Sequence, residues 1–416
     1  MKNPSANACL WSGVLLATLI APISVGAEGD DTSVLTRERP ELDPLGIHSG
    51  AFIVYPSIGV SITQDDNIFA TDNNTESDQI VQVSPGVEVV SDWNNHALEM
   101  ALSADIGRYS DNSDESYNDY SLRADGRTDI TRQERLYSRL RYERLHEGRD
   151  SVNDAGGSKP TEYTRTDLSL TYNRRFNRVE LDVGGRIDMR DYSDGSLNGF
   201  TINNDDRDRT ETTVFTRAQY QFNSGYKGFA ELSINQRNYD AATDDNGFDR
   251  SSSGSEWRIG AKAALTGIST ASGYIGYVSQ DPDDSAFSTV SGTSYGGELI
   301  WNATTLTSVT ATVERTTEET TLASAGALRT RYGVRVDHEL LRNLLLFAAY
   351  DRYADDYNDL DRDDSETNFI IGAQYLMNRQ LYWFAELRTD SRDSSGDDAG
   401  EDYDRQQVFL GAEFNL

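Results

Sequence analysis

The sequence predicts a transmembrane, antiparallel, up-and-down β-barrel of about eighteen strands, with sixteen as the alternative count. Three observations predict it. Apolar side chains recur at every second position through most of the chain after residue 51, so each strand has one apolar and one polar face. The connections between these strands alternate short and long from end to end, as they do when turns lie on one side of a membrane and loops on the other. The last nine residues, Val408 to Leu416, form a strand that stops at the chain end and needs a partner for its open edge. The first strand, Phe52 to Ile62, is the partner that would close a cylinder.

Residues 1–27 read as an export signal. Lys2 precedes an apolar run, Leu10 to Val25, and Val25-Gly26-Ala27 fits a small-residue cleavage site. The only cysteine, Cys9, lies within it, so the remainder has no thiol chemistry or disulfides. Residues 28–50 carry Pro40 and Pro44 and neither period, which marks a periplasmic linker hanging below a barrel of residues 51–416. No stretch has the ~20 apolar residues of a spanning helix. The net charge of −31 argues against nucleic acid as a partner.

In chain order, Phe52, Val54, Ile58, Val60 and Ile62 share a face, then Val81, Val83, Val87 and Val89. Leu98 to Ile106 and Tyr120 to Ile130 alternate in the same way. Leu136, Leu140 and Tyr142 follow, then Leu168 to Tyr172 and Val179 to Met189. Val214 to Phe222, Ala230 to Ile234 and Trp257 to Leu265 continue the series. Ala271 to Gln280 is a strand of unclear facing. Tyr295 to Trp301, Val309 to Val313 and Leu328 to Val336 alternate cleanly. Leu344 to Arg352 starts apolar on both faces; Phe369 to Tyr375, Leu381 to Leu387 and the terminal strand complete eighteen. Short connections such as Asp92–His96 and Arg174–Arg178 alternate with long ones such as Thr63–Asp78, His146–Glu162, Asp355–Glu366 and Thr389–Asp402. Tyr142, Tyr172, Tyr220, Phe222, Trp257, Trp301, Trp383 and Phe414 fall on the apolar face, as in an aromatic girdle.

On this register the polar face lines an interior. Arg123, Arg127, Arg139, Arg141, Arg186, Arg190, Arg217, Arg258, Arg329, Arg331 and Arg335 point inward with Glu99, Asp105, Glu143 and Asp337. These residues are expected to line the lumen and to contact whatever passes. The same mixed charges can serve as cross-strand ion pairs that stiffen the wall. Barrels of this size usually keep an aqueous channel. Acidic loop runs such as Asp281-Pro282-Asp283-Asp284 offer hard oxygen ligands but match no calcium-loop spacing. The histidines fall in the lead-in or in connections, and no nucleophile elbow, zinc pattern or phosphate loop appears. No enzyme activity, cofactor or metal is expected.

Arg39-Pro40-Glu41-Leu42-Asp43-Pro44, Asp65-Asp66-Asn67-Ile68-Phe69-Ala70-Thr71, Val83-Ser84-Pro85-Gly86 and Ser91-Asp92-Trp93 cover residues 39 to about 110. Together they resemble the outer-membrane β-barrel porin type 2 family found with exopolysaccharide and capsule export. The resemblance implies a passive conduit for secreted polysaccharide in the outer membrane of a Gram-negative bacterium. It also implies a periplasmic export partner, for which residues 28–50 are a plausible contact. Two other readings stay open: a general diffusion porin for small solutes, and a structural or adhesive surface barrel. The sequence leaves the oligomeric state undetermined.

Overall fold

The computed structural model describes residues 33–416. The proposed export signal, and residues 28–32 of the linker, lie outside the described residues. The barrel strands are β1 Phe52–Asp65, β2 Asp78–Ser91, β3 Ala97–Tyr109, β4 Tyr117–Asp129, β5 Glu134–His146 and β6 Glu162–Phe176. They continue as β7 Val179–Tyr192, β8 Arg209–Asn223, β9 Tyr226–Tyr239, β10 Ser252–Thr266, β11 Ser269–Pro282 and β12 Val290–Thr304. The last six are β13 Thr307–Glu318, β14 Ala327–Leu341, β15 Leu344–Tyr357, β16 Asp363–Leu376, β17 Leu381–Ser395 and β18 Tyr403–Asn415. Each strand pairs antiparallel with its sequence neighbours, and β1 pairs with β18 from Ser57↔Asn415 to Asp65↔Gln407. The eighteen-strand sheet is thus closed, with the first and last strands as its seam. Closure satisfies every strand edge, a condition any sheet in hydrocarbon must meet.

The seam has a detail the sequence did not suggest. β18 ends opposite Ser57, so Phe52 to Pro56 extend past it. A short strand, Ile47–Ser49, turns back within the lead-in and pairs with Phe52–Val54, taking the place of the missing wall. At the other end of the seam the Asp-Asp-Asn motif acts as a clasp. Asn67 is fully buried; its side-chain amide donates to the Thr71 and Asp404 carbonyls, and its oxygen accepts the Thr71 N–H. Asp66 accepts the Gln406 N–H at 2.7 Å and Asp65 accepts the Gln407 amide at 2.6 Å.

The strands are longer than the sequence alternation suggests. They run 12 to 15 residues, against the ~9–11 that cross a bilayer. The surplus is at the loop ends. The connection expected at Asp355–Glu366 shrinks to 358–362, and that expected at Thr389–Asp402 to 396–402. Beyond the bilayer both faces of a strand meet water. Polar residues therefore continue the ladder without leaving an alternating signature.

The outer face is apolar: Ile58, Val60 and Ile62 on β1 and Leu168 and Leu170 on β6 point away from the interior. The facing of β11 resolves, with Ile275 and Tyr277 outward. The two-faced start of β15 is also explained. Leu345 points inward, is 1% exposed, and clusters with Leu376 and Tyr382 beneath Leu35 and Leu42 of the N-terminal segment. That segment does not hang below the barrel, as expected from its composition. It lies inside the periplasmic mouth across β12 to β17. The Val34 N–H donates to Ser308 Oγ at 2.8 Å, and Arg37 donates to Asn302 Oδ1 at 2.7 Å. Arg39 pairs with Glu339 at 3.0 Å, and the Tyr382 hydroxyl donates to the Leu42 carbonyl at 2.8 Å. Burying Leu35 and Leu42 on an inward apolar patch is what draws a polar segment into the wall.

Candidate functional site: the lumen and its constriction

The interior holds a cavity of ≈ 750 Å³ bounded by strand side chains and inward-folded loops. Asp105, Glu143, Arg186, Arg190, Arg258 and Arg329 of the expected lumen set line it. Arg186 pairs with Asp167 and, at 3.2 Å, with Asp188, which also takes Arg190 at 3.1 Å and Arg165 at 2.6 Å. Arg258 pairs with Glu256 at 2.6 Å, and Arg329 with Asp355 at 2.5 Å.

The other expected residues share the inward parity but form a lattice of ion pairs outside the cavity lining. Arg123 pairs with Glu99 and with Asp125 at 2.8 Å; Arg139 meets Asp125 at 2.7 Å. Arg127 pairs with Asp129 at 3.2 Å and Arg217 with Glu231 at 2.5 Å. Arg331 pairs with Asp351 at 2.7 Å and Arg335 with Asp337 at 2.8 Å. Arg141 sits among the charges of Arg139, Glu143 and Asp167. Several like charges are register partners, such as Arg123↔Arg141 and Asp167↔Asp188. Between β6 and β7 the attraction runs diagonally, Arg186 to Asp167 and Arg165 to Asp188, which ties these two strands twice.

The constriction was not among the expected residues. Segment 147–161, between β5 and β6, folds into the lumen. Its Arg149 makes a two-pronged contact with Glu115, at 2.9 and 2.8 Å. Its Asp150 reaches β18, where Arg405 holds it at 2.9 Å, and its carbonyl accepts from Arg392 on β17 at 3.0 Å. Asn153 accepts the Thr321 N–H at 2.8 Å, joining this loop to segment 319–326 from the far wall. That second segment leaves β13 with Glu319, whose carboxylate crosses to Arg209 on β8 at 2.9 Å and Arg237 on β9 at 2.5 Å. The Tyr239 hydroxyl donates to it at 2.8 Å. Gly326, at φ +140°, returns the segment to β14; a Cβ there would stand 2.6 Å from the Glu318 carbonyl. Arg250 donates to the Leu322 and Ser324 carbonyls at 2.8 and 2.7 Å, fixing the loop from a third side.

Two loop carboxylates here are tuned in opposite directions. Burial pushes the Glu147 carboxyl above the usual range, and its pair with Arg207, at 2.8 Å, only partly offsets this. Burial also works against ionisation of Glu319, but Arg237 and Arg209 outweigh it and hold that carboxyl below the usual range. Asp208, at the loop end before β8, is pushed up to about 6 by burial, against the Tyr192 N–H it accepts. Its folded-state value lies above that of an unfolded carboxyl (~3.9), so the folded state binds the proton more tightly. The stabilising contribution of that proton is complete below ~4 and is lost as pH rises to about 6. Asp208→Asn is expected to flatten the pH dependence of hydrogen exchange at Tyr192 across that window; an unchanged profile would refute the assignment.

Arg209, Arg237 and Arg405 could have been read from parity, since each continues the inward row of its strand. Glu147, Arg149, Asp150 and Glu319 could not, because they lie in loops. The only sequence signal was the length of the connections from His146 to Glu162 and from Thr316 to Gly326. His146 itself ends β5 with Nδ1 2.9 Å from Asp119 and its ring stacked on Tyr117 at 4.0 Å.

Among solved structures, the chain is similar to Pseudomonas aeruginosa OpdK crystallised with vanillate, at 10% identity over 87% of this chain and 99% of that one, TM-score 0.48. It is similar to P. aeruginosa OccK3 (OpdO) at 14% identity, 87% and 96% coverage and TM-score 0.46. It is also similar to P. aeruginosa OpdL at 13% identity, 88% and 100% coverage and TM-score 0.45. No curated protein matches the chain. The family model described as "Putative beta-barrel porin 2" matches residues 39–416, so the chain belongs to that porin family and resides in the outer membrane of a Gram-negative bacterium.

Proposed function

We propose that the protein is a passive channel for small polar solutes rather than a conduit for polymer. The observation that carries this reading is segment 147–161, held across the lumen by the Asp150–Arg405 pair. A polysaccharide thread needs an unobstructed bore along its whole length, whereas a small solute can pass beside a fixed loop. The N-terminal segment along the periplasmic mouth narrows the route at its other end. The export association implied by the sequence motifs finds no support in these contacts; the Asp-Asp-Asn motif closes the seam instead.

The cavity lining contains 16 carboxylates and 10 arginines, so the channel should favour cations. Liposome swelling tests the size limit. Sugars up to a few rings should enter and a polysaccharide should not; free passage of polymer would restore the conduit reading. Replacing Arg329, Arg331 and Arg335 with Ala should shift the permeability ratio further toward cations, by roughly twofold or more, as their carboxylate partners lose neutralising charge. Unchanged reversal potentials would remove these residues from the ion path.

A further inference from the structure

Outside the lumen, the outer wall carries arginines near its extracellular end. Arginine is costly on the lipid face, about 2–4 kcal/mol at the bilayer midplane and about 0–1 near an interface. In the extracellular half, Arg108, Arg144, Arg315 and Arg352 nevertheless carry the outward parity. Arg108 stands opposite Val81, Arg144 opposite Tyr120, Arg315 opposite Tyr295, and Arg352 opposite Tyr332. The first two are used by their own wall: Arg108 donates to the Tyr117 carbonyl and Asn118, and Arg144 pairs with Glu162 at 2.6 Å. Arg315 and Arg352 make no ion pair among the described residues.

These two flank one strand. Arg315 on β13 is opposite Thr330 of β14, and Arg352 on β15 is opposite Tyr332 of β14. Their backbones are therefore about 12 Å apart, two ladder spacings across and one outward step along. Tyr332, on β14, stands between them, and Tyr295, on β12, stands opposite Arg315 on its other side. Along β14 the outward row runs Leu340, His338, Val336, Val334, Tyr332. Tyr332 lies roughly 20 Å above Leu340 for a ~3.3 Å rise and a ~40° tilt. That is near the top of a ~25 Å apolar band, where a headgroup phosphate sits. Guanidinium forks match phosphate oxygens, and tyrosines hold an interface.

We propose that Arg315 and Arg352, with Tyr295 and Tyr332, form a binding site on the outer wall for the phosphate group of an outer-leaflet lipid. The site is distinct from the lumen, and its test does not depend on what the channel conducts. Binding of bisphosphorylated lipid A to the detergent-solubilised barrel would be measured by native mass spectrometry, with dephosphorylated lipid A and inorganic phosphate as separate arms. The wild type should bind the phosphorylated lipid at least tenfold more tightly than either alternative. Arg315→Gln with Arg352→Gln should lose at least tenfold, whereas Arg108→Gln with Arg144→Gln should lose little. Equal binding of the dephosphorylated lipid by the wild type would overturn the proposal without any variant being needed. Undiminished binding by the Arg315/Arg352 variant would also overturn it. Inorganic phosphate binding as tightly as the lipid would make this a free-anion site and overturn the lipid assignment.

Discussion

Replacing residues 149–158 by a short Gly-Ser link should raise single-channel conductance by roughly two- to fivefold, because a wide barrel left unfilled is an aqueous channel. The deletion removes both ties of the constriction, Arg149 to Glu115 and Asp150 to Arg405. It also removes Asn153, the link to segment 319–326. The wall should survive. The ladder of β5 with β6 runs from Glu134↔Arg174 to His146↔Glu162 and contains none of the deleted residues. Arg405 keeps a partner in Asp390, at 3.3 Å, so no bare charge is left on β18. Planar-bilayer recordings give the answer directly. Conductance equal to wild type would mean that the narrowest point lies elsewhere, and the small-solute reading would lose its main support. An intermediate comparison is Asp150→Ala, which cuts the anchor but leaves the loop.

The second large effect is expected at the other mouth. Arg39→Ala should free the N-terminal segment from the barrel. Arg39 is 2% exposed and supplies three contacts: the Val34 carbonyl at 2.8 Å, the Arg37 carbonyl at 2.9 Å and Glu339 at 3.0 Å. Removing one member of a buried ion pair costs about 3–5 kcal/mol, because the partner charge stays behind. Local opening of residues 33–45 should then become ~100-fold more frequent or greater, at ~1.4 kcal/mol per factor of ten. Limited proteolysis of the folded barrel, read by mass of the cleaved N-terminal fragment, measures this opening. Arg342→Ala is the matched control. Its pair with Glu41 is more than half exposed on both sides, and such pairs contribute little. Equal protease sensitivity in the two variants would show that the Arg39–Glu339 pair does not hold the segment.

The contrast between those two arginines shows where sequence reading stops. Both stand near the periplasmic rim, and nothing in the residues around Arg39 distinguishes it as buried. The inward apolar position Leu345 was visible in a strand apolar on both faces at its start; its partner Leu376, on β16, was not. Nor was their meaning, since the covering side chains come from some 300 residues earlier. The same holds for Glu319. Its partners Arg209 and Arg237 lie five and four strands away, and a loop residue has no parity from which to infer direction.

What the chain determines by itself is the cylinder. Strand number, pairing of first with last, and the sides of Arg123, Arg217 or Trp257 all follow from a period of two that repeats locally. A one-residue slip would turn every side chain to the wrong solvent. Tertiary structure decided how much of the bore stays open. Segment 147–161 crosses the lumen, segment 319–326 meets it, and the lead-in lines the exit because of contacts between residues far apart in sequence. Such contacts depend on the diameter and curvature of the closed sheet, which exist only once all eighteen strands are in place.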